Sequence, residues 1–172
     1  MKRRDFIQKG TLGGSFLAFG GAQAFSLKAK EDQPQNSFKL KYAPHIGMFK
    51  GLAGEDPIDQ LDFMADQGFT AFEDNEMRNK PVKLQEKMAA TMARRGIEMG
   101  VFVAHKIYWT EPNLTSGDKT KRKEFLSEIK ASVEVAKRVN AKWMTVVPGY
   151  VDQRQNLAYQ TAHVVESLKQ AV

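Results

Sequence analysis

The chain has 172 residues, of which 42% are hydrophobic and 27% charged, the balance of a single globular domain. It has no cysteine, which excludes disulfides, thiolate metal centres and cysteine nucleophiles. The formal charge of +6 does not argue for a nucleic-acid surface: Lys2, Arg3, Arg4 and Lys9 against Asp5 place half of it in residues 1–26, and the remainder is spread thinly over residues 27–172.

Residues 1–26 read as an address. Lys2, Arg3 and Arg4 form a charged start, a glycine-rich and weakly apolar run follows from Gly10 to Gly21, and Ala22-Gln23-Ala24 offers a small–x–small cleavage pattern. The segment Arg3-Arg4-Asp5-Phe6-Ile7 resembles the twin-arginine export signal, which implies a periplasmic or otherwise exported protein that crosses the membrane folded. The alternative is an ordinary basic leader. The run is too short and too rich in glycine to stay in a bilayer after processing. Residues 27–37 are polar and read as a flexible linker.

From residue 38 a strand-then-helix pattern repeats four times. The first strand is expected at Phe38–Ala43, and a loop with Gly47, Gly51 and Gly54 follows. Asp56 and Pro57 form an N-cap and first-turn pair, Ile58, Leu61 and Met64 make an apolar stripe, and Gly68 closes the helix. The second strand is expected at Thr70–Glu73, with a helix from near Pro81 to Gly96 carrying Val82, Leu84, Met88 and Met92. The third strand, Ile97–Val103, is nearly all apolar, as a strand covered on both faces should be. Its helix runs from about Lys119 to Val139 with Phe125, Ile129, Val133 and Ala136 on one face. The fourth strand, Trp143–Val147, ends at Pro148-Gly149, and a last helix from about Gln155 has Leu157, Val164, Val165 and Leu168 as core candidates.

This alternation implies α/β architecture with a parallel sheet. Two folds fit: the first four βα units of a TIM (β/α)8 barrel, or a small doubly wound parallel sheet. The first loop spaces its glycines G-x3-G-x2-G, which is not the dinucleotide fingerprint G-x-G-x-x-G. In either fold ligands sit at the C-terminal strand ends. Those ends carry His45, then Glu73 to Glu76, then His105, Lys106, Tyr108 and Trp109, then Tyr150. Imidazoles, carboxylates, a lysine and aromatics suit a small polyol or keto acid, or a divalent ion. The plain alternatives are a histidine bonded to a loop carbonyl, a solvated acidic turn, and a packed aromatic loop. The long loop 104–118 is expected to cover a ligand. His163, inside the last helix, is read as surface or packing. The basic run Lys119, Lys121, Arg122 and Lys123 is read as a solvated face, with a phosphate site as the alternative.

The stretches Lys41-Tyr42-Ala43-Pro44-His45, Gly68-Phe69-Thr70-Ala71-Phe72-Glu73 and Ala136-Lys137-Arg138-Val139-Asn140-Ala141-Lys142 resemble the sugar phosphate isomerase/epimerase superfamily of xylose isomerase-like TIM barrels, in particular its hydroxypyruvate isomerase-like members. The resemblance covers residues 38–172. It implies isomerisation or epimerisation of a sugar or of hydroxypyruvate by proton transfer through an enediol, in many members with a divalent metal (Mg, Mn or Zn). Only the substrate-side positions His45, Glu73 and His105, with Lys106, Tyr108 and Trp109 beside them, carry over. The family's metal ligands and catalytic glutamates come from its fifth to eighth strands, so the resemblance places the catalytic groups beyond Val172 and makes this an N-terminal half. The competing readings are a non-catalytic sugar-binding half barrel, completed as a homodimer, and a metal-dependent endonuclease-like barrel. Export and the mild charge of residues 27–172 speak against the second.

Overall fold

The computed structural model describes residues 38–172; the expected export signal 1–26 and the expected linker 27–37 lie outside them. The helices follow the sequence closely. A short helix α1 (Lys50–Ala53) lies in the first loop, and α2 (Pro57–Asp66) follows it. Asp56 caps α2 by accepting from the Ile58 N–H at 2.8 Å. Helix α3 (Val82–Arg95) ends on left-handed Gly96, α4 spans Lys119–Val139, and α5 spans Leu157–Ala171.

The strands are shorter than expected. Among the described residues only β1 (Ala71–Phe72) and β2 (Glu98–Met99) form a regular parallel ladder. Parallel bridges extend it on both sides, His45 with Glu73 and Val103 with Thr145. The expected strand at Phe38–Ala43 forms no ladder; the pairing falls just after it, where Pro44 O accepts the Glu73 N–H at 3.0 Å and His45 bridges Glu73. Contact continues between the regular pairs: Phe72 O accepts from Gly100 N at 2.7 Å, and Phe102 O from Thr145 N at 2.8 Å. Gly100 permits this closeness, because a Cβ there would sit 3.1 Å from Phe72 O.

The spatial order of the four strand segments is thus the order of the chain. A doubly wound sheet reverses direction at a switch point; a barrel adds each strand beside the last. The fold is an α/β partial TIM barrel made of four βα units.

The core lies between the sheet and its helices. Leu61, Met64, Phe72, Met88, Met99 and Phe102 anchor one cluster, and Leu114, Phe125 and Ile129 a second. Three expected faces shift. Val82 and Val133 are exposed, and α4 buries Ser132, Val135 and Val139 instead. On α5, Leu157, Val165 and Leu168 are exposed, and the buried residues are Gln160 and Ser167. Among the described residues, helix α5 packs mainly on α4 and the 3-10 turn Leu114–Ser116, which leaves its other side exposed. No described helix is long and apolar enough to cross a membrane.

Candidate functional site

The C-terminal ends of the strands are held by a repeated device. The fourth residue of α2, α3 and α5 is a buried glutamine: Gln60, Gln85 and Gln160. Each reaches back over the loop before its helix. Gln60 accepts from Gly47 N at 2.7 Å and donates to Gly54 O at 2.9 Å. Gln85 donates to Met77 O and Lys80 O, at 3.0 and 2.9 Å, and accepts from the Arg138 guanidinium. Gln160 accepts from Asp152 N and donates to Asp152 O, both at 2.9 Å. Helix α4 uses a hydroxyl instead: Ser132 Oγ donates to Ala104 O at 2.6 Å. Buried amides satisfied in this way fix loop backbone that no ladder holds.

The two strand-end histidines repeat a second device. His45 Nδ1 faces Ile46 O at 2.6 Å, and its Nε2 accepts the Asn75 N–H at 3.3 Å. His105 Nδ1 faces Lys106 O at 2.8 Å, and its Nε2 accepts the Val147 N–H at 3.1 Å. Both partner sets require the neutral ring with its proton on Nδ1. Each imidazole ties its own strand end to the next strand. His105 is 3% exposed and stands edge-on to Phe125, with ring centres 5.1 Å apart. Burial is the main cause that holds its pKa below the usual histidine value, with Arg78 adding to it; the Lys106 carbonyl and Glu128 act in the opposite direction.

Between the second and third strand ends lies an open cavity of about 580 Å³. Asn75, Arg78, His105, Lys106, Trp109 and Glu128 are among its lining residues. Glu128, from α4, organises it: one carboxylate oxygen meets Arg78 Nη1 at 3.2 Å, and the other accepts the Lys106 N–H at 3.0 Å. Below it Asp74 is buried, accepts from Glu76 N at 3.0 Å, and faces Lys80 Nζ at 2.9 Å. That lysine contact is a close ion pair and not a well-directed hydrogen bond, since Oδ2 of Asp74 has no partner of good angle.

Of the expected site residues, His105, Lys106 and Trp109 meet in this cavity, and His45 and Glu73 pair with each other at the neighbouring strand end. Phe72 is buried on the helix side, so strand alternation puts Glu73 on the other, barrel-inner face. There its Cβ lies over Gly100, and the residue is half-buried. Tyr108 turns away, giving its hydroxyl to Glu124 at 3.0 Å, with Lys106 Nζ 4.5 Å from its ring centre. The loop 104–118 is partly packed, with Asn113, Leu114 and Thr115 buried, while Trp109 is exposed. Gly149 joins this loop to the fourth strand end: its φ is +83°, and a Cβ there would lie 2.7 Å from Tyr108 O. Of the basic run, Lys119 and Lys123 are exposed, while Lys121 is held by Pro112 O and Arg122 by Ser167. Asp118 caps α4 through Thr120 N and Lys121 N, which keeps its carboxyl below the usual range. His163 packs over Gly117.

The residues missed by the sequence reading are Arg78, Glu128 and the glutamines. The repeated position of the glutamines, fourth in three helices, was the signal that could have found them. Among the described residues no three His, Asp or Glu side chains converge as metal ligands. With both ring nitrogens of His45 and His105 bonded to backbone, these residues do not make a metal centre by themselves.

A second hollow, about 240 Å³, lies among Met92, Glu98, Asn140 and Lys142. It is at the N-terminal strand ends, the end of such folds given to stability and not to chemistry.

No curated protein matches the chain. Among solved structures it is similar to the 3-keto-D-glucoside 4-epimerase YcjR from E. coli in its apo form, at 17% identity and a TM-score of 0.56, over 76% of this chain and 50% of that one. It is also similar to a D-psicose 3-epimerase solved in the presence of D-fructose, at 14% identity and a TM-score of 0.56, over 77% of this chain and 48% of that one. At such identities the likeness is one of fold, and the chain spans about half the length of these barrels. The model of the xylose isomerase-like TIM barrel family matches residues 61–172, well over half of the sequence, and with four parallel units added in barrel order the chain belongs to that family.

Proposed function

We propose that the protein is an exported sugar or hydroxypyruvate isomerase or epimerase that works by proton transfer through an enediol, and that the residues described form the substrate-binding wall of its site. The observation that carries this reading is the polar rim at the C-terminal strand ends, where Asn75, Arg78, Lys106 and Trp109 open onto one cavity, with the half-buried Glu73 at the end of the same strand as Asn75. Cationic and amide donors there suit the carbonyl and hydroxyl oxygens of a small ketose or keto acid. The exposed Trp109 offers a flat apolar face to a sugar ring. Glu73, on the inner face, suits an acceptor for substrate hydroxyls. His45 and His105 serve as positioning residues for the strand ends that carry these groups. The paired arginines Arg3 and Arg4 support export.

Titration calorimetry of the chain with D-fructose, D-psicose and hydroxypyruvate tests the reading. One of these is expected to bind at millimolar strength or better, and Glu73→Gln to weaken it about tenfold, the loss of one charge-assisted hydrogen bond. Circular dichroism should show the variant folded. Exchange of the substrate's α-hydrogen in D2O, followed by proton NMR, separates an isomerase from a module that only binds. Absence of binding by all three compounds, or a Glu73→Gln variant that binds as well as the parent, would sink the proposal.

A further inference from the structure

The charges of the cavity between the second and third strand ends are matched. Among the described residues, Arg78 and Lys106 line it against Glu76 and Glu128. His105 adds no charge, because its Nε2 accepts the Val147 N–H. This wall is therefore neutral in sum.

Each charge also has a fixed neighbour. Glu76 accepts from the Asn79 amide at 2.7 Å. Lys106 Nζ stands over the Tyr108 ring, 4.5 Å from its centre. Glu128 is held at both oxygens, by Arg78 Nη1 at 3.2 Å and by the Lys106 N–H at 3.0 Å. Arg78 rides on the 3-10 turn Met77–Asn79, and Gln85 brackets that turn by donating to Met77 O and Lys80 O. The two side chains of the ion pair are each 21% exposed, so solvent screens it less than a surface pair.

An anion that took Arg78 for itself would bring its charge up against the Glu128 carboxylate. Glu128 cannot swing away without leaving the Lys106 N–H unsatisfied. An uncharged hydroxyl or carbonyl oxygen meets no such opposition. Among the described residues Glu128 is the one hydrogen-bond partner of Arg78, so further guanidinium N–H groups are left to donate to that oxygen. We propose that Glu128 is a positioning residue that sets the charge selectivity of the rim: by pairing with Arg78 it favours uncharged polyhydroxy ketones over keto-acid anions. This selectivity presupposes that the rim is the proposed substrate wall, and it separates the ketoses from hydroxypyruvate. Arg78 touches the ligand, and Glu128 acts through it.

Dihydroxyacetone and hydroxypyruvate make a matched pair of probes, alike in their hydroxyketone and different in a hydroxymethyl group against a carboxylate. In amide chemical-shift titrations of the whole chain at low ionic strength, the parent is expected to bind dihydroxyacetone the more tightly. Added sodium chloride should leave that affinity unchanged, since binding neutralises no charge. Glu128→Gln keeps the shape of the side chain and uncovers the Arg78 charge. It should raise the affinity for hydroxypyruvate about tenfold, make it sensitive to salt and reverse the order of the two probes. Damaged packing alone would weaken both probes and reverse nothing. Adding Arg78→Gln to the variant should abolish the gain. A parent that prefers hydroxypyruvate, or a Glu128→Gln variant whose two affinities keep their ratio, overturns the role of Glu128 and leaves the rim as the site. Failure of parent and variant to bind either probe overturns the substrate wall and this selectivity together. If circular dichroism shows the variant unfolded, the order of the probes and the salt response of the parent decide alone.

Discussion

Replacing Phe102 with alanine is expected to remove about 3–5 kcal/mol of stability, the usual cost of deleting a fully buried aromatic side chain and leaving its cavity. Phe102 is 0% exposed and belongs to the main cluster between sheet and helices. It also lies where regular pairing is scarcest: its carbonyl accepts the Thr145 N–H that holds the fourth strand segment, and Val103 beside it supplies the bridge. In a sheet with two regular pairs, side-chain burial and not the ladder sets the register. Domains of this size are stable by only about 5–15 kcal/mol. The variant should therefore show a large fall in urea midpoint at unchanged slope, and a fall below about 1 kcal/mol would mean that the described core is not what stabilises the fold.

His105→Phe should cost about 2–4 kcal/mol although it keeps an aromatic ring against Phe125. The Val147 N–H loses its acceptor and Lys106 O loses its donor, both at partly buried positions. The same residue sets a pH dependence. The folded protein holds His105 neutral, with its pKa below the ordinary 6.5, so the unfolded chain binds this proton more readily. Stability then rises with pH wherever the unfolded state carries more protons. The contribution of His105 is whole above pH 6.5 and is lost as pH falls from there through the folded pKa. Denaturation curves between pH 7.5 and 5, values chosen to bracket about 6.5, should show the parent losing stability toward acid. The phenylalanine variant, lower throughout, should lose less over the same range. Equal slopes would mean that His105 is not the group that is held neutral.

The helices were legible in the sequence because their ends are marked by local chemistry. Asp56 with Pro57 fixed the start of α2, Gly96 the end of α3, and α4 came out at Lys119–Val139 as read. The strands were legible as apolar runs but not in length, because pairing depends on the neighbour; the run Ile97–Val103 is apolar apart from Glu98, and only Glu98–Met99 forms a regular ladder. The α5 face was misread for a related reason. Leu157, Val165 and Leu168 have core-like spacing, but burial needs a partner, and none is present within the described chain.

The strand-end positions His105, Lys106 and Trp109 were found by topology alone, since barrels place their chemistry there. Arg78 and Glu128 were not, because fifty residues separate a pair that only the packing of α4 across the second loop brings to 3.2 Å. The histidines show the limit of reading residue type as role. Their place in the chain marks the rim correctly, but their ring nitrogens are bonded to Ile46, Asn75, Lys106 and Val147, contacts that no sequence spacing displays.

Amide chemical-shift mapping of the isotope-labelled chain during titration with D-fructose, D-psicose and hydroxypyruvate tests most directly whether the C-terminal strand ends are the binding wall. Saturable shifts are expected at Glu73, Asn75, Lys106, Ile107 and the Trp109 indole, with the N-terminal hollow around Met92, Glu98 and Lys142 unmoved. Shifts confined to that opposite hollow, or none with any of the three ligands, would contradict the assignment of the rim as the site.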